Sequence, residues 1–223
     1  MLKKQVKVTV QSGDTKTKLV VMPTTYKVEQ ELKTAYAVAY KNSIALGVAT
    51  RASMLELLRK EEIWSDAEEE KLLTKSIEAA ALEASLSNAI KNKDLTAQKT
   101  IAMKLVTARS KLYELIQIKS IPLEHTAEAI AEDVKIDKFI SISTFTEEGK
   151  PYFNNHEDFL KRRSEPDVLK LINSVIEELS KDNIELLRKL PENDWLINNG
   201  IMDKNGNLKE TELVNLMVPE DKK

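Results

Sequence analysis

The stretch that most constrains what this chain can fold into runs from Trp64 to Ile118. Ser65 followed three residues later by Glu68 is a capping box, in which side chains satisfy the first exposed backbone donors of a helix. Asp66, Glu68, Glu69 and Glu70 crowd the first turns, and Lys91 and Lys93 stand at the far end. Each sign sits where the helix dipole favours it. A short Asn92-Lys93-Asp94 break follows, and a second helical run continues to Ile118. In it Ile101, Leu105, Ala108, Leu112 and Leu115 alternate four and three apart, the spacing of a coiled-coil seam. Leu72, Ala79, Leu82, Leu86 and Ala89 answer from the first helix.

The break is too short for a parallel return, so the spacing predicts an antiparallel coiled-coil hairpin over 65–118, with arms roughly 35–40 Å long. That arrangement predicts Glu68, Glu69 and Glu70 beside Arg109, Lys111 and Lys119, and Lys71 and Lys75 beside Glu114. Leu73, Ile77, Ala80 and Ala84 widen the apolar stripe, so the hairpin needs cover beyond its own partner helix. For contacts with another protein, Trp64, Leu105 and Leu112 are the candidate partner-binding residues, acting through packing. Trp64 directly precedes the cap, where a bulky apolar residue staples chain entry to the first turns.

Around this hairpin the chain predicts a mainly α-helical bundle with a small β-hairpin at residues 1–23. Val6, Val8 and Val10 alternate, Ser12-Gly13-Asp14 makes a turn, and Thr15 to Val21 forms a second strand. Two strands alone are marginal in water, so the hairpin must pack on a helix or lend its edge. Lys3, Lys4, Lys7, Lys16 and Lys18 read as edge protection. The helical domain is expected over 24–190. It begins with a run from Tyr26 to Ile63 broken near Gly47, carrying Val28, Leu32, Ala35, Ala39 and Leu46 at helical spacing. After Pro122, a helix from Glu124 to Ser141 places Ala127, Ile130, Ala131, Val134 and Phe139 on one face. Short extended pieces follow, then a helix capped by Asn155, and one capped by Ser164 with Pro166 in its first turn. That last helix runs to Leu190 and includes Leu186 and Leu187, and residues 191–223 form a C-terminal extension with a turn at Asn205-Gly206.

Composition excludes more chemistry than it suggests. No cysteine is present, which removes disulfides, thiolate nucleophiles and cysteine metal sites. Net charge is -2, so bulk electrostatics favour neither nucleic acid nor an acidic membrane. Met1-Leu2-Lys3-Lys4 lacks the apolar core of a secretory signal, and the cytoplasm, or a particle assembled there, is the expected compartment. His156-Glu157-Asp158-Phe159-Leu160 begins like a zinc-protease helix, but Leu160 stands where the second histidine is needed. Glu124, Glu128 and Glu132 read as a solvated acidic stripe, and His125 with Glu128 lacks the second unit of a di-iron site. A calcium loop from Ile201 to Glu212 has Asp203 and Asn205 in place, but Ile201 and Lys209 at positions that need oxygen ligands. Lys161-Arg162-Arg163 is the densest basic run and is weak support for nucleic acid. No phosphate-binding loop or serine-hydrolase elbow occurs. No catalytic residue, cofactor or metal is therefore expected.

The middle of the chain carries a family likeness. Thr50-Arg51-Ala52, Leu57-Leu58-Arg59 and Ile63-Trp64-Ser65-Asp66 lead into the charged hairpin. Thr126-Ala127-Glu128, Gly149-Lys150-Pro151-Tyr152-Phe153 and Glu157-Asp158-Phe159-Leu160-Lys161-Arg162 follow it. This order resembles a family of small virion structural or tail-assembly proteins from large contractile-tailed bacteriophages, over residues 50–163. The resemblance implies a non-enzymatic role in tail assembly, with other tail proteins or a second copy as partners, in the host cytoplasm or the virion. A tail-assembly chaperone would hold an aggregation-prone helical client. The alternatives are a minor structural component of the tail, baseplate or neck and, from another class, a metal- or carboxylate-dependent enzyme.

Overall fold

The computed structural model describes residues 2–12, 15–203, 206, 207 and 209. The chain is mainly helical with one small antiparallel sheet. It forms two compact units, one from Met1–Leu57 and Pro122–Asp182, the other from Leu58–Ile121 and Asn183–Lys223. These units cut across the divisions read from the sequence. The expected N-terminal hairpin and much of the helical domain share one core, while residues after 190 join the core of the other.

In the first unit β1 (Val6–Ser12) pairs with β2 (Thr15–Val21), and β2 with β3 (Thr144–Thr146), all antiparallel. The expected two-stranded hairpin thus gains a third strand from one of the extended pieces. Register sets Val8 opposite Leu19 and Val6 opposite Val21, so the alternation turns one face inward, and Val8, Val10, Leu19 and Val21 are buried. The turn at Gly13 and Asp14 lies outside the described residues.

Helix α1 (Tyr26–Ala45) opens on a Thr25 cap that accepts from the Val28 amide. It stops at Gly47, whose φ of +82° is the left-handed conformation that closes a helix end, and Val48 N–H donates to Ser43. Helix α2 (Arg51–Lys60) begins beyond it. Its first amide, on Arg51, donates to the carboxylate of Glu128 at 2.8 Å. Glu128 is therefore a helix cap rather than part of a solvated stripe.

A 3-10 turn at Ile121–His125 leads into α5 (Ala127–Ser143), which supplies Phe139 and Ile140 to the core. Asn155 caps α6 (His156–Arg162) by accepting from Asp158 N–H. Helix α7 (Pro166–Arg188) starts one residue later than Ser164 capping requires, because the first helical carbonyl to accept belongs to Glu165. Val168, Leu171, Ile172 and Val175 pack inward, but Leu186 and Leu187 stand exposed.

In the second unit α3 (Asp66–Lys91) and α4 (Leu95–Ser120) each span 26 residues and run antiparallel. Glu69 pairs with Lys119 at 2.8 Å and Glu83 with Arg109 at 2.7 Å, which sets their register. Lys71 and Lys75 turn to Glu68 and Glu78 on their own helix instead of Glu114. Neighbours three residues apart on one helix are already close, and reaching across costs more side-chain freedom. Helix α8 (Pro191–Asn198) covers part of this pair through Trp195 and Leu196.

The break between α3 and α4 holds Lys93 at φ +57°, with Asp94 N–H bonded back to Ala89. A side chain in that conformation is strained. Lys93→Gly should therefore raise stability by about 0.5–1 kcal/mol. Gly47→Ala should lower it by about 1 kcal/mol although a Cβ there meets nothing within 4 Å. Urea unfolding of both variants checks the pair.

Candidate functional site

Helix α1 is amphipathic in sequence yet poorly covered. Of its 20 residues only Leu32 and Ser43 are buried, because α5 packs along one side alone. Ala49 accepts from Ala127 N–H, so the C-terminal end of α1 lies at the start of α5 and the two run antiparallel. Between them lies a trough of about 770 Å³. Ala35 and Ala39 from α1 and Ile130 and Val134 from α5 line it, beside Val38 and Leu46, which are 53% and 84% exposed. Leu46 continues the spacing of Val28, Leu32 and Ala39 past the helix end, where it stands exposed among the described residues.

Lys138 and His156 line the same trough. The His156 ring lies parallel to Phe159 with centroids 6.0 Å apart, and its Nδ1 is 3.1 Å from Ser141 Oγ. Burial, and next the nearby Lys138 charge, push the imidazole below its ordinary pKa, while Asp137 opposes them. Asp137 itself is held by Arg163 at 2.8 Å, and burial raises its carboxyl despite that partner. A serine, a histidine and an aspartate thus stand close together without a relay. Ser141 donates to Lys138 O at 2.8 Å, and Asp137 faces Arg163 rather than the imidazole.

The residues singled out for partner contact all belong to the second unit, and its interior uses them. Trp64 is 3% exposed, and its indole N–H donates to Glu69 at 2.6 Å. Lys119 sits 5.5 Å over its ring and joins the same carboxylate. Leu105 is fully buried with Leu86, Ala102 and Trp195, and Leu112 is half-buried. Trp64 and Leu105 therefore offer no surface of their own to another chain. The apolar surface of this unit is elsewhere: Leu73 and Ile77 on α3, each 61% exposed, with Ala80 and Ala84 also exposed. At 100° per residue these four lie across α3 from the seam.

No family model, curated protein or solved structure matches this chain. Its chemistry rests on the side chains alone.

The basic triplet is largely neutralised. Arg162 binds Glu165, the Tyr152 hydroxyl and Asp167, and Arg163 binds Asp137. These partners lie on separate loops and helices, which is why the sequence hid them. Leu160, at the place of the second zinc histidine, is 48% exposed. In the tail, Asp203 accepts from Asn207 N–H and from its side-chain amide, closing a turn at Gly206. Asn205 and Glu212, the other oxygen ligands of the supposed calcium loop, lie outside the described residues. Among the described residues no group of three or more acidic or histidine side chains is placed to hold a metal, and no helix is long and apolar enough to cross a membrane.

Leu105→Ala should cost about 2–5 kcal/mol in chemical unfolding, whereas Leu73→Gln should stay within about 0.5 kcal/mol. The Ser65 hydroxyl, then the Ser65 amide, then Lys71 lower the Glu68 carboxyl from 4.5 to about 2. A lowered carboxyl contributes stability above its ordinary pKa and loses it as pH falls from 4.5 towards about 2. Thermal unfolding followed from pH 6 to pH 3 should therefore show a fall that Glu68→Gln makes shallower.

Proposed function

We propose that this chain acts by binding other polypeptides, as a non-enzymatic tail-assembly protein of a contractile-tailed bacteriophage. The observation that carries this reading is the open apolar trough beside α1, a helix with one covered side. A helix face this apolar is ordinarily hidden by a neighbour, and large exposed patches mark interaction sites. The exposed Leu73–Ile77 row of α3 is a second surface of the same kind. Within this reading α3 and α4 form a coiled coil, supported by the partial or full burial of Leu72, Ala79, Leu82, Leu86 and Ala89 at the seam positions.

The phage setting rests on the sequence resemblance over residues 50–163. A chaperone would act in the host cytoplasm on a helical client and leave before the particle is complete. The second reading, a minor component of the tail, baseplate or neck, has the same surfaces covered permanently.

Mass spectrometry of purified particles and of assembly intermediates tests both. Recovery with tail proteins from intermediates, together with absence from particles, supports the chaperone. Stoichiometric presence in particles supports the component. A chain found with no tail protein in either fraction, or one that turns over a substrate, overturns the proposal.

A further inference from the structure

Taking the chain to be a binder of other polypeptides, we propose that the α1–α5 trough receives an amphipathic helix of another protein. Its aliphatic row would lie along Ala35 and Ala39, and a carboxylate at one end would pair with Lys138.

Three features of the trough specify that occupant. Its walls stand open, with Val38 53% and Leu46 84% exposed. A small-molecule pocket instead encloses most of its ligand. The floor is made of alanines four residues apart between two antiparallel helices, and small residues let a third helix settle between the ridges of the pair. From Ala35 to Leu46 the lining follows α1 for about 16 Å, three turns of an incoming helix, and is apolar apart from Asn42 and Ser43.

Charge gives the third feature. Lys138 is half-buried and makes no ion pair among the described residues. A cation partly removed from water without a partner is costly, so a carboxylate beside it gains more than one on the open surface. Glu31 also lines the trough, but it is exposed and solvent screens it. His156 has its Nδ1 committed to Ser141 and favours its neutral form. The half-buried ammonium therefore sets the preference.

The test uses the full chain and three fluorescent helical peptides of about 15 residues, with leucines at i, i+3, i+4 and i+7. They differ only in carrying Glu, Gln or Lys at one end, and both ends are tried. Anisotropy should show the Glu peptide binding about tenfold more tightly than the Lys peptide. Lys138→Glu should invert that order, and Glu31→Gln should leave it unchanged. Val38→Glu should remove binding of all three with helix content and unfolding temperature intact, since Val38 is already half exposed. Equal binding of the three peptides, absence of binding, or an order that Lys138→Glu does not alter overturns the assignment. So does a dimer in sedimentation that Val38→Glu splits, because the trough would then be filled by a second copy. In each case recovery with tail proteins would still stand, which separates failure of this site from failure of the broader reading.

Discussion

Two helices lying side by side each hide one stripe, and every other apolar side chain on them must find a further neighbour or face water. That limit governs both units of this chain. In one, α3 and α4 hide Leu86, Ala102 and Leu105, and α8 adds Trp195 and Leu196 as a third layer over part of their length. In the other, α5 shares a core with the sheet, α6 and α7, whereas α1 packs mainly on α5 and, among the described residues, buries only Leu32 and Ser43.

Polar contacts act beside the apolar ones in placing α8. Glu192 is 1% exposed and faces the Arg109 guanidinium, which also binds Glu83. Trp195 donates to Gln98, whose amide in turn donates to Ala89 O at the end of α3. Trp195, Gln98 and Ala89 form a chain of paired groups that limits where α8 can lie, whereas Glu192 keeps a buried carboxylate without a hydrogen-bond partner. Hydrophobic contact alone would let a two-turn helix slide along the hairpin.

The parts of this architecture legible in the sequence are those fixed by neighbours a few residues apart. The Ser65–Glu68 box, the Asn155 cap and the break at Gly47 follow from local backbone chemistry, and the two long helices α3 and α4 follow from periodicity. Charge pairing was less legible, because Lys71 and Lys75 had partners within their own helix as well as across it. Least legible were roles assigned by distant segments. Glu128 looked like one more acid in a stripe until the start of α2 was found on it. Arg162 read as one member of a basic run until Tyr152 and Asp167 were found around it. The trough was hidden for a related reason: Val134 and Ile130 carry the same periodicity whether a face is covered or bare.

A helix that is mostly exposed should be the weakest part of its unit, and that bears on how it works. An isolated helix of 20 residues is marginal in water. Helix α1 holds its shape through the Thr25 cap, the Gly47 stop and Leu32 in the core. Val28 packs against that core and Ala35, Tyr36, Ala39 and Tyr40 are partly buried, whereas Val38 and Leu46 face solvent and contribute little. Covering Val38 and Leu46 would each add up to about 1.5–3 kcal/mol of burial, the same scale as the caps that keep the helix closed. The occupant proposed for the trough would, by burying these side chains, also stiffen α1. Selection for a stable monomer would have filled that face with lysine and glutamate. Valine and leucine there instead leave apolar surface in contact with water.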